Sequence, residues 1–316
     1  MKKVGIIGYT GMVGSEIERR VQRHNLVDIV LKQNKGNEDD NFNNCDLVIF
    51  ATPTEASLKR VPKALEQRVR VIDTSGAFRL KNLADFEKWY EMAHTCPWLL
   101  EEAVYGLPAF YKEKIKDARL VVIPGCYPTG ALLALKPLEG MLQGIVRIYA
   151  TEGISGAGKL VKPYSNERTY SAFEEHRHVP EMKQYSGFDI FFVPTVLESV
   201  ERGINMQIEA ELSKKLKHLS DEEAEMLIAS KIRQAYSPED LVEVTTGKRY
   251  EIGTYDVNYT HKAIISVHAY KGYVLLISRI DNLLRGSASQ VVENMNLMFG
   301  FSPLHGMDAL IKQQLS

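Results

Sequence analysis

The stretch Lys3–Gly14, which reads KVGIIGYTGMVG, decides the fold of the first part of this chain. Its first six residues form an apolar run typical of a buried strand, and Val13–Val21 has apolar residues at helical spacing. Between them, Gly8, Gly11 and Gly14 let the backbone approach a pyrophosphate, whose charge is favoured at the positive end of a helix. The stretch therefore predicts a strand, a helix and, unless the glycines serve packing alone, a phosphate-binding turn. The cofactor residues predicted in this turn are Gly8, Tyr9, Thr10, Gly11, Met12 and Val13.

Further along, strand and helix patterns alternate. Two apolar runs, Leu47–Ala51 and Val69–Asp73, predict buried strands, and Glu55–Glu66 between them predicts a helix. Another apolar run, Leu120–Ile123, predicts one more strand. Such alternation is typical of βαβ units with right-handed crossovers, so we expect a parallel sheet of the Rossmann type.

The second half of the chain has longer runs that partly alternate between apolar and polar residues. These runs are Phe188–Pro194, Gly203–Leu212, Lys262–Ala269 and Tyr273–Ile280. They predict a largely antiparallel sheet, with helices at Ser220–Tyr236 and Ser287–Met298. The predicted organisation is an α/β dinucleotide-binding domain over residues 1–125, an α+β domain over residues 126–284, and a helical segment, residues 285–316, that returns to the first domain.

The composition limits the classes of partner. The 316 residues carry a net charge of −1 and are 45% hydrophobic, which is typical of a globular chain long enough for two domains. A balanced charge argues against a nucleic-acid-binding surface. No apolar stretch approaches the roughly 20 residues of a membrane helix, and the N-terminus enters a strand-like run instead of a secretory segment. We therefore expect a cytoplasmic protein that binds small molecules or copies of itself, with neither nucleic acid nor membrane as a partner.

The residues after the second predicted strand bear on the choice of dinucleotide. Val27–Leu31 is followed by Lys32 and Lys35, and no acidic residue stands at the end of this strand. An acidic residue there would bind the ribose 2′-hydroxyl of NAD, whereas basic residues suit the 2′-phosphate of NADP. The pattern favours NADP(H), and the alternative is that both lysines are solvated loop charges.

A cysteine stands in the stretch Val121–Gly130, VVIPGCYPTG. The Pro-Gly pair before Cys126 predicts a sharp turn, and the helix-like residues Ala131–Leu138 place the sulfur near a helix N-terminus. The positive end of a helix lowers a thiol pKa and favours the thiolate. Cys126 is thus a candidate nucleophile. The alternative is a small buried apolar residue, which is the expected role of Cys45 and Cys96.

Two further clusters carry polar chemistry. In Glu174–Glu181, EEHRHVPE, two imidazoles flank an arginine, with carboxylates on both sides. His176 and His178 are candidates for proton transfer and Arg177 for holding a carboxylate or phosphate. A metal site lacks further ligands, and a solvated loop is the alternative. The segment Glu152–Lys159, EGISGAGK, predicts a small-residue loop whose backbone can approach a flat ring or an oxyanion, or else a flexible linker.

Together these features suggest one reaction. A thiolate attacks an activated acyl carbon, the leaving group departs, and the resulting thioester accepts a hydride from a nicotinamide. A nucleotide site, an activated cysteine and a histidine pair are the parts that this chemistry needs. We therefore expect an enzyme.

The same motifs resemble the N-acetyl-γ-glutamyl-phosphate reductases of arginine biosynthesis, which are relatives of aspartate-semialdehyde dehydrogenase. The similarity runs nearly end to end. The matching segments are GYTG (Gly8–Gly11), VIDTSGAFRL (Val71–Leu80), AVYGLP (Ala103–Pro108), PGCYPT (Pro124–Thr129), GISGAGK (Gly153–Lys159), HRHVPE (His176–Glu181) and DNLLRGSASQVVENMNLMFG (Asp281–Gly300). PGCYPT followed by HRHVPE is highly specific, whereas the glycine turn alone is not.

The resemblance implies that an acyl phosphate is reduced to an aldehyde with NADPH and that phosphate is released. Cys126 would carry the thioester, with His176 and His178 as acid and base. The residues implied for the substrate are Arg79, Arg177 and Glu181, and those implied for the cofactor beyond the glycine turn are Ser75, Ser155, Gly156, Gly158 and Asn282. The resemblance also implies a homodimer or homotetramer and a Rossmann domain completed by the final helix.

The chain also departs from the family pattern. Family members commonly have asparagine where this chain has Ile123, an aspartate where it has Ala77, serine where it has Glu152, arginine where it has Lys159, and histidine where it has Thr195. A lysine does not reproduce the bidentate grip of an arginine. The departures leave alternatives: an aminoadipyl or aspartyl phosphate as the substrate, or a catalytically inactive nucleotide-binding relative.

Overall fold

A computed structural model of the chain describes residues 1–156, 166–173, 175–247 and 253–307. The chain divides into two compact units, one formed by residues 1–125 and 287–316 and the other by residues 126–286. Within the described residues, the first unit has a six-stranded sheet and the second a seven-stranded sheet. The predicted fold class, a Rossmann-type unit together with an α+β unit, is confirmed.

The first unit alternates strands and helices. Its strands are β1 (Lys2–Ile7), β2 (Val27–Gln33), β3 (Leu47–Phe50), β4 (Arg70–Asp73), β5 (Val104–Tyr105) and β6 (Leu120–Val122). Its helices up to residue 125 are α1 (Met12–Val21), α2 (Thr54–Glu66), α3 (Leu83–Tyr90), α4 (Leu99–Glu102) and α5 (Pro108–Asp117). All strand pairings are parallel, in the order β2-β1-β3-β4-β6-β5.

The glycine turn lies where the strand order of this sheet reverses. Because β1 has β2 on one side and β3 on the other, a ligand crevice is expected at its carboxyl end. Gly8 has a φ of +84° there, and a side chain on it would meet the backbone of Ala51. A Cβ at Gly14 would lie 2.0 Å from the Gly8 carbonyl oxygen. Helix α1 therefore packs this close to the turn only because position 14 has no side chain.

The second unit is a mixed sheet with helices against one face. Its helices are α6 (Cys126–Leu135), α7 (His178–Ser186) and α8 (Asp221–Gln234). Its strands are β7 (Leu142–Gly153), β8 (Glu167–Thr169), β9 (Asp189–Leu197), β10 (Ile204–Leu212), β11 (Val242–Thr245), β12 (Ala263–Tyr270) and β13 (Tyr273–Ile280), in the order β11-β12-β13-β10-β7-β9-β8. The β7/β9 and β11/β12 pairings are parallel and the others antiparallel, in line with a largely antiparallel sheet.

Helix α6 lies in the core of the second unit. It packs against β10, β13 and α7, and nine of its ten residues are buried. Its sequence is apolar on all sides, as expected of a helix that neighbours surround. The inward side chains of β10, including Ile204, Met206 and Ile208, are fully buried. The one residue of α6 that is not buried is its first, Cys126.

After the second unit the chain returns to the first. A π-helical turn, Leu284–Ala288, leads into α9 (Ser289–Phe299), which packs against α5, α1 and β4. The Asn294 side-chain amide donates to the Gly106 carbonyl oxygen at 3.0 Å. Helix α9 is thus part of the core of the first unit.

Three predicted boundaries are wrong in ways that matter to function. The strand predicted to end at Leu31 continues through Lys32, because β2 keeps pairing with β1 as far as Gln33. The strand β7, predicted to end at Thr151, continues beyond Glu152, which pairs with strands on both sides and so does not lie in a loop. Helix α6 begins at Cys126 itself. Helices α3, α5 and α7 occupy stretches for which the sequence pattern predicts no element.

Asp281, directly after β13, organises the turn that closes the second unit. It is fully buried and forms a two-point ion pair with Arg202, with N–O distances of 2.9 and 2.8 Å. It also accepts hydrogen bonds from the backbone N–H groups of Tyr259, Leu283 and Leu284 at 2.6 to 2.9 Å. A buried charge paired this closely makes the removal of either partner costly.

Replacing Asp281 with asparagine should destabilise the protein by about 3–5 kcal/mol, because the buried guanidinium of Arg202 loses its counter-charge. Thermal unfolding followed by circular dichroism measures the change. The control is Glu211→Gln, which removes an ion pair with Lys217 whose side chains are 31% and 45% exposed. That change should have little effect on stability, because ion pairs at the surface contribute little. Equal, small effects of both substitutions would contradict the assigned role of Asp281.

Candidate active site

Cys126 occupies the N-terminus of the buried helix α6. It is partly exposed, while every other residue of the helix is buried. Gly286 packs directly against it, since a Cβ at position 286 would lie 2.9 Å from the Cys126 Cβ. The positive end of a helix favours a negative charge on a sulfur placed there. This position suits a nucleophile.

The other two cysteines have a different environment. Cys45 and Cys96 are buried, with exposed fractions of 9% and 1%. Burial raises the pKa of each thiol to about 11. Both therefore stay protonated and unreactive at neutral pH.

His176 and His178 lie side by side in the second unit. Their ring centroids are 4.8 Å apart, and each residue is 8% exposed. Side chains two positions apart share a face in an extended segment, but here His178 is the first residue of α7. The turn before the helix brings the rings together, because the backbone N–H of His178 donates to Nδ1 of His176 at 3.1 Å.

The same hydrogen bond defines the chemical state of His176. Since Nδ1 accepts, the proton of the neutral ring resides on Nε2. Burial, helped by the charge of Arg177, lowers the pKa of His176 to about 3. At neutral pH this ring is a neutral N–H donor, which can stabilise a developing oxyanion.

A hydrogen-bonded chain of side chains lines the histidine pair. The Tyr127 ring contacts His176 and His178 edge-on, with centroid distances of 5.5 and 5.8 Å. The Tyr127 and Tyr170 hydroxyl oxygens are 3.4 Å apart, and Tyr170 donates to Glu152 at 2.6 Å. Burial raises the pKa of Tyr127, Tyr170 and Glu152. These hydrogen bonds run from Tyr127, which is next to the candidate nucleophile, to the buried carboxyl group of Glu152.

Sequence reasoning did not assign a role to any member of this chain. Tyr127 stands inside the PGCYPT motif, and Glu152 stands at the start of the predicted loop Glu152–Lys159 and among the departures from the family pattern. Tyr170 had no signal, because its contact with Glu152 joins β7 to the segment after β8. Such a pairing is visible only in the folded chain.

The predicted cofactor residues of the second unit form their own hydrogen bonds. Asn282 is 4% exposed, donates to the Ser155 hydroxyl at 3.0 Å and accepts from the Gly203 N–H at 2.8 Å. Ser155 and Gly156 belong to a 3-10 turn directly after β7. The predicted residue Gly158, like Lys159, lies outside the described residues.

The predicted cofactor residues of the first unit surround the N-terminus of α1. Thr10, Gly11 and Met12 are exposed, and no side chain caps the first N–H groups of the helix. Lys32 points toward this turn, with its ammonium 5.0 Å from the centre of the Tyr9 ring. It also forms an ion pair with Glu18 at 2.9 Å. The backbone N–H groups of Thr10 and Gly11 donate to Asn34 and Gly8, so the N-terminus of α1 and the nearby cation are what this turn offers a phosphate group.

Ser75 and Arg79 are bound within the first unit. Ser75 donates to the buried carboxylate of Asp73 at 2.7 Å. The Arg79 guanidinium donates to the carbonyl oxygens of Ile123 and Thr74 at 2.8 and 2.7 Å. Both side chains are buried. These contacts give both residues a part in holding the carboxyl edge of the sheet.

Arg177 and Glu181 differ sharply in exposure. Arg177 is exposed, whereas Glu181 in the first turn of α7 is fully buried. Of the two, Arg177 is accessible to a substrate in this structure. Among the described residues, no group of three histidine, cysteine, aspartate or glutamate side chains could hold a metal ion.

Comparison with known proteins finds relatives along nearly the whole chain. Residues 28–118 match the family model "Semialdehyde dehydrogenase, NAD binding domain", and residues 126–282 match "Semialdehyde dehydrogenase, dimerisation domain". An N-acetyl-gamma-glutamyl-phosphate reductase of Thiobacillus denitrificans is 35% identical over 346 aligned residues, covering 96% of each chain. That of Halorhodospira halophila is 35% identical and covers 98% of this chain and 99% of its own. The chain belongs to the N-acetyl-gamma-glutamyl-phosphate reductase family.

The solved structures place this reductase family chain in a wider fold group. Aspartate semialdehyde dehydrogenase II from Vibrio cholerae matches it with a TM-score of 0.72 at 18% identity, over 95% of this chain and 99% of that one. At that identity the match concerns the fold. The resemblance inferred from the sequence motifs is confirmed. The described residues of this family member include no helix with the length and apolar character of a membrane span.

The lowered pKa of His176 predicts how stability depends on pH. His176 takes up a proton near pH 6.5 in the unfolded chain but only near pH 3 in the folded chain. The free energy of unfolding is therefore highest above pH 6.5 and decreases as the pH falls below that value. Between pH 8 and pH 5.5 the wild type should lose about 1.4 kcal/mol more than His176→Gln. Urea unfolding at both pH values measures this, with the exposed His218→Gln as a control that should behave as wild type. Parallel pH curves for all three proteins would refute the assignment.

Proposed function

We propose that this protein reduces N-acetyl-γ-glutamyl phosphate to N-acetylglutamate 5-semialdehyde with NADPH and releases phosphate. One observation carries the proposal. In a chain of this reductase family, Cys126 is the only unburied residue of helix α6, and the following residue, Tyr127, packs against both histidines. A nucleophile at a helix N-terminus beside two imidazoles is suited to covalent acyl transfer.

The covalent steps centre on the Cys126 sulfur. The thiolate attacks the acyl carbon, the bond from this carbon to the phosphate oxygen breaks, and phosphate leaves with the electron pair. When bound, NADPH would supply a hydride to the thioester carbon, and the product held on Cys126 would be a hemithioacetal with a negative oxygen. That oxygen re-forms the carbonyl, the carbon–sulfur bond breaks, and the aldehyde and the thiolate separate. Over the cycle the thiolate is regenerated.

The two histidines are proposed to have different roles. His176 has its Nδ1 occupied by a backbone N–H and its proton on Nε2, so we assign it to hydrogen-bond donation toward the negative oxygen. Its low pKa makes it a poor proton acceptor near neutral pH. His178 is therefore assigned to proton transfer at the hemithioacetal oxygen and at the thiol.

The glycine turn fits a dinucleotide. Because Gly8 and Gly14 have no side chains, the backbone of the turn packs closely against neighbouring backbone. The N-terminal N–H groups of α1 have no side-chain cap. This cradle would hold the pyrophosphate of NADPH. Lys32 would contact the 2′-phosphate, with Lys35 nearby in sequence. Within the second unit, Ser155, Gly156 and Asn282 are proposed as further cofactor residues.

Assembly and location complete the proposal. The family model that matches residues 126–282 is described as a dimerisation domain, which supports oligomerisation, and we propose a homodimer or homotetramer. The outer face of the second sheet exposes Ile145, Tyr149 and Tyr273, as a surface that pairs with another copy would. The three cysteines are free thiols, which suits the reducing cytoplasm.

The reverse reaction tests the function directly. With NADP⁺ and phosphate, N-acetylglutamate semialdehyde should be oxidised at least about tenfold faster than the aminoadipate and aspartate semialdehydes. Cys126→Ser should lower the rate about a thousandfold or more, because the serine hydroxyl does not form the thioester. NADPH binding should be unchanged in this variant, and Cys45→Ala serves as the control with normal turnover. Preference for another aldehyde would redirect the substrate assignment, and high activity of Cys126→Ser would disprove covalent catalysis.

Cofactor choice depends on Lys32 in this proposal. Lys32→Ala should weaken NADPH binding roughly threefold to tenfold, since a cation beside the 2′-phosphate is lost, and should leave NADH binding unchanged. Fluorescence titration with both dinucleotides measures this. Lys35→Ala is the matched comparison, because the sequence argument treats both lysines alike. If wild type binds NADPH and NADH equally, neither lysine selects the cofactor.

A further inference from the structure

Glu152 is a buried carboxyl group with no role in the reaction described above. It lies near the end of β7 and is 1% exposed. Its Oε1 accepts the hydrogen bond from Tyr170, while Oε2 makes no hydrogen bond within the described residues. A buried polar atom without a partner is rare enough in folded proteins to require an explanation.

On one side, Glu152 supports the two tyrosines that pack against His176. Its 2.6 Å hydrogen bond orients the Tyr170 hydroxyl, which lies 3.4 Å from that of Tyr127. The His176 ring packs edge-on against both tyrosines, with centroid distances of 5.5 Å to Tyr127 and 5.7 Å to Tyr170. Tyr127 directly follows Cys126 at the start of α6. A shift of the carboxyl group is therefore transmitted to both the histidine and the nucleophile's neighbour.

On the other side, Glu152 supports the turn after β7. A Cβ at Gly156 would lie 1.9 Å from Oε2, so the carboxyl group packs directly against this glycine. Asn282, which follows β13, holds the same turn through its 3.0 Å hydrogen bond to Ser155. The carboxyl group of Glu152 thus contacts both Tyr170 and the turn that is assigned to the cofactor.

We infer that Glu152 is a positioning residue. Its carboxyl group sets the spacing between the Ser155–Gly156 turn and the packed side chains of Tyr170, Tyr127 and His176. The inference rests on the proposed function for the roles of Cys126 and His176. Burying a carboxyl group costs free energy, and here burial raises its pKa. Because the proposed contribution is this spacing, a neutral amide of the same shape should serve as well.

The first test separates shape from charge. Glu152→Ser and Tyr170→Phe should each lower kcat about tenfold to a hundredfold, because misplacement of about 1 Å has that effect. KM for NADPH should stay unchanged in Tyr170→Phe, which leaves the contact with the turn in place, and the double variant should be no worse than the poorer single one. Glu152→Gln should recover most of the activity that Glu152→Ser loses. A Gln variant as poor as the Ser variant, or a Ser variant with full kcat, would overturn the inference.

The second test uses the contact with Gly156. Gly156→Ala should lower kcat, since its methyl group would overlap Oε2 and displace the carboxyl group from Tyr170. In the Glu152→Ser background this overlap is absent, so adding Gly156→Ala should cause little further loss. Multiplicative effects of the two substitutions would show that the carboxyl group and the turn do not act through their contact.

A third measurement is independent of the substrate. The alkylation rate of Cys126 by iodoacetamide, followed by intact mass in folded protein, should change about threefold or more in Glu152→Ser and Tyr170→Phe but little in Glu152→Gln. Cys45 and Cys96 are buried, and Cys126→Ser gives their background. If no variant turns over the aldehyde and this alkylation pattern is still seen, the proposed function fails and the positioning role stands. Full turnover with equal alkylation rates in every variant would refute the positioning role alone.

Discussion

The burial of helix α6 is the constraint on which the rest of the active site depends. The helix packs against two strands of the second sheet and against α7, and all its residues after the first are buried. An apolar helix held this way has little freedom to rotate or slide, because the core around it is close-packed. Its first turn, and with it the sulfur of Cys126, is therefore held in one place, while Gly286 leaves the space that the cysteine side chain needs.

The polar groups around this helix are buried as well, and burial gives them different chemical properties. His176 loses the ability to take up a proton near neutral pH and keeps a defined tautomer through the backbone of His178. Tyr127, Tyr170 and Glu152 become weaker acids for the same reason. In a medium of low polarity, neutral hydrogen-bonded groups are the stable form. Burial and the hydrogen bond from His178 thus define the protonation state and the tautomer of His176.

Local pattern was enough for the elements that carry the main chemistry. The run Lys3–Gly14 predicted strand, glycine turn and helix, and the Pro-Gly pair with an apolar run after it predicted a helix near Cys126. Helix α3 has short-range capping by Asn82, yet it buries only Phe86. Strands β2 and β7 extend beyond their predicted ends because neighbouring strands continue to pair with them. Such pairing has no local signature.

The sequence by itself determined the fold class, the family and the set of residues able to perform acyl transfer, because strand and helix periodicity and short motifs are encoded within a few neighbouring positions. Only the tertiary structure decided which of those residues meet, and in what state. The contact of Glu152 with Tyr170 and the packing of His176 on Tyr127 join separate elements of the second unit. Protonation and tautomer follow from that burial and from those contacts, so no local pattern contains them.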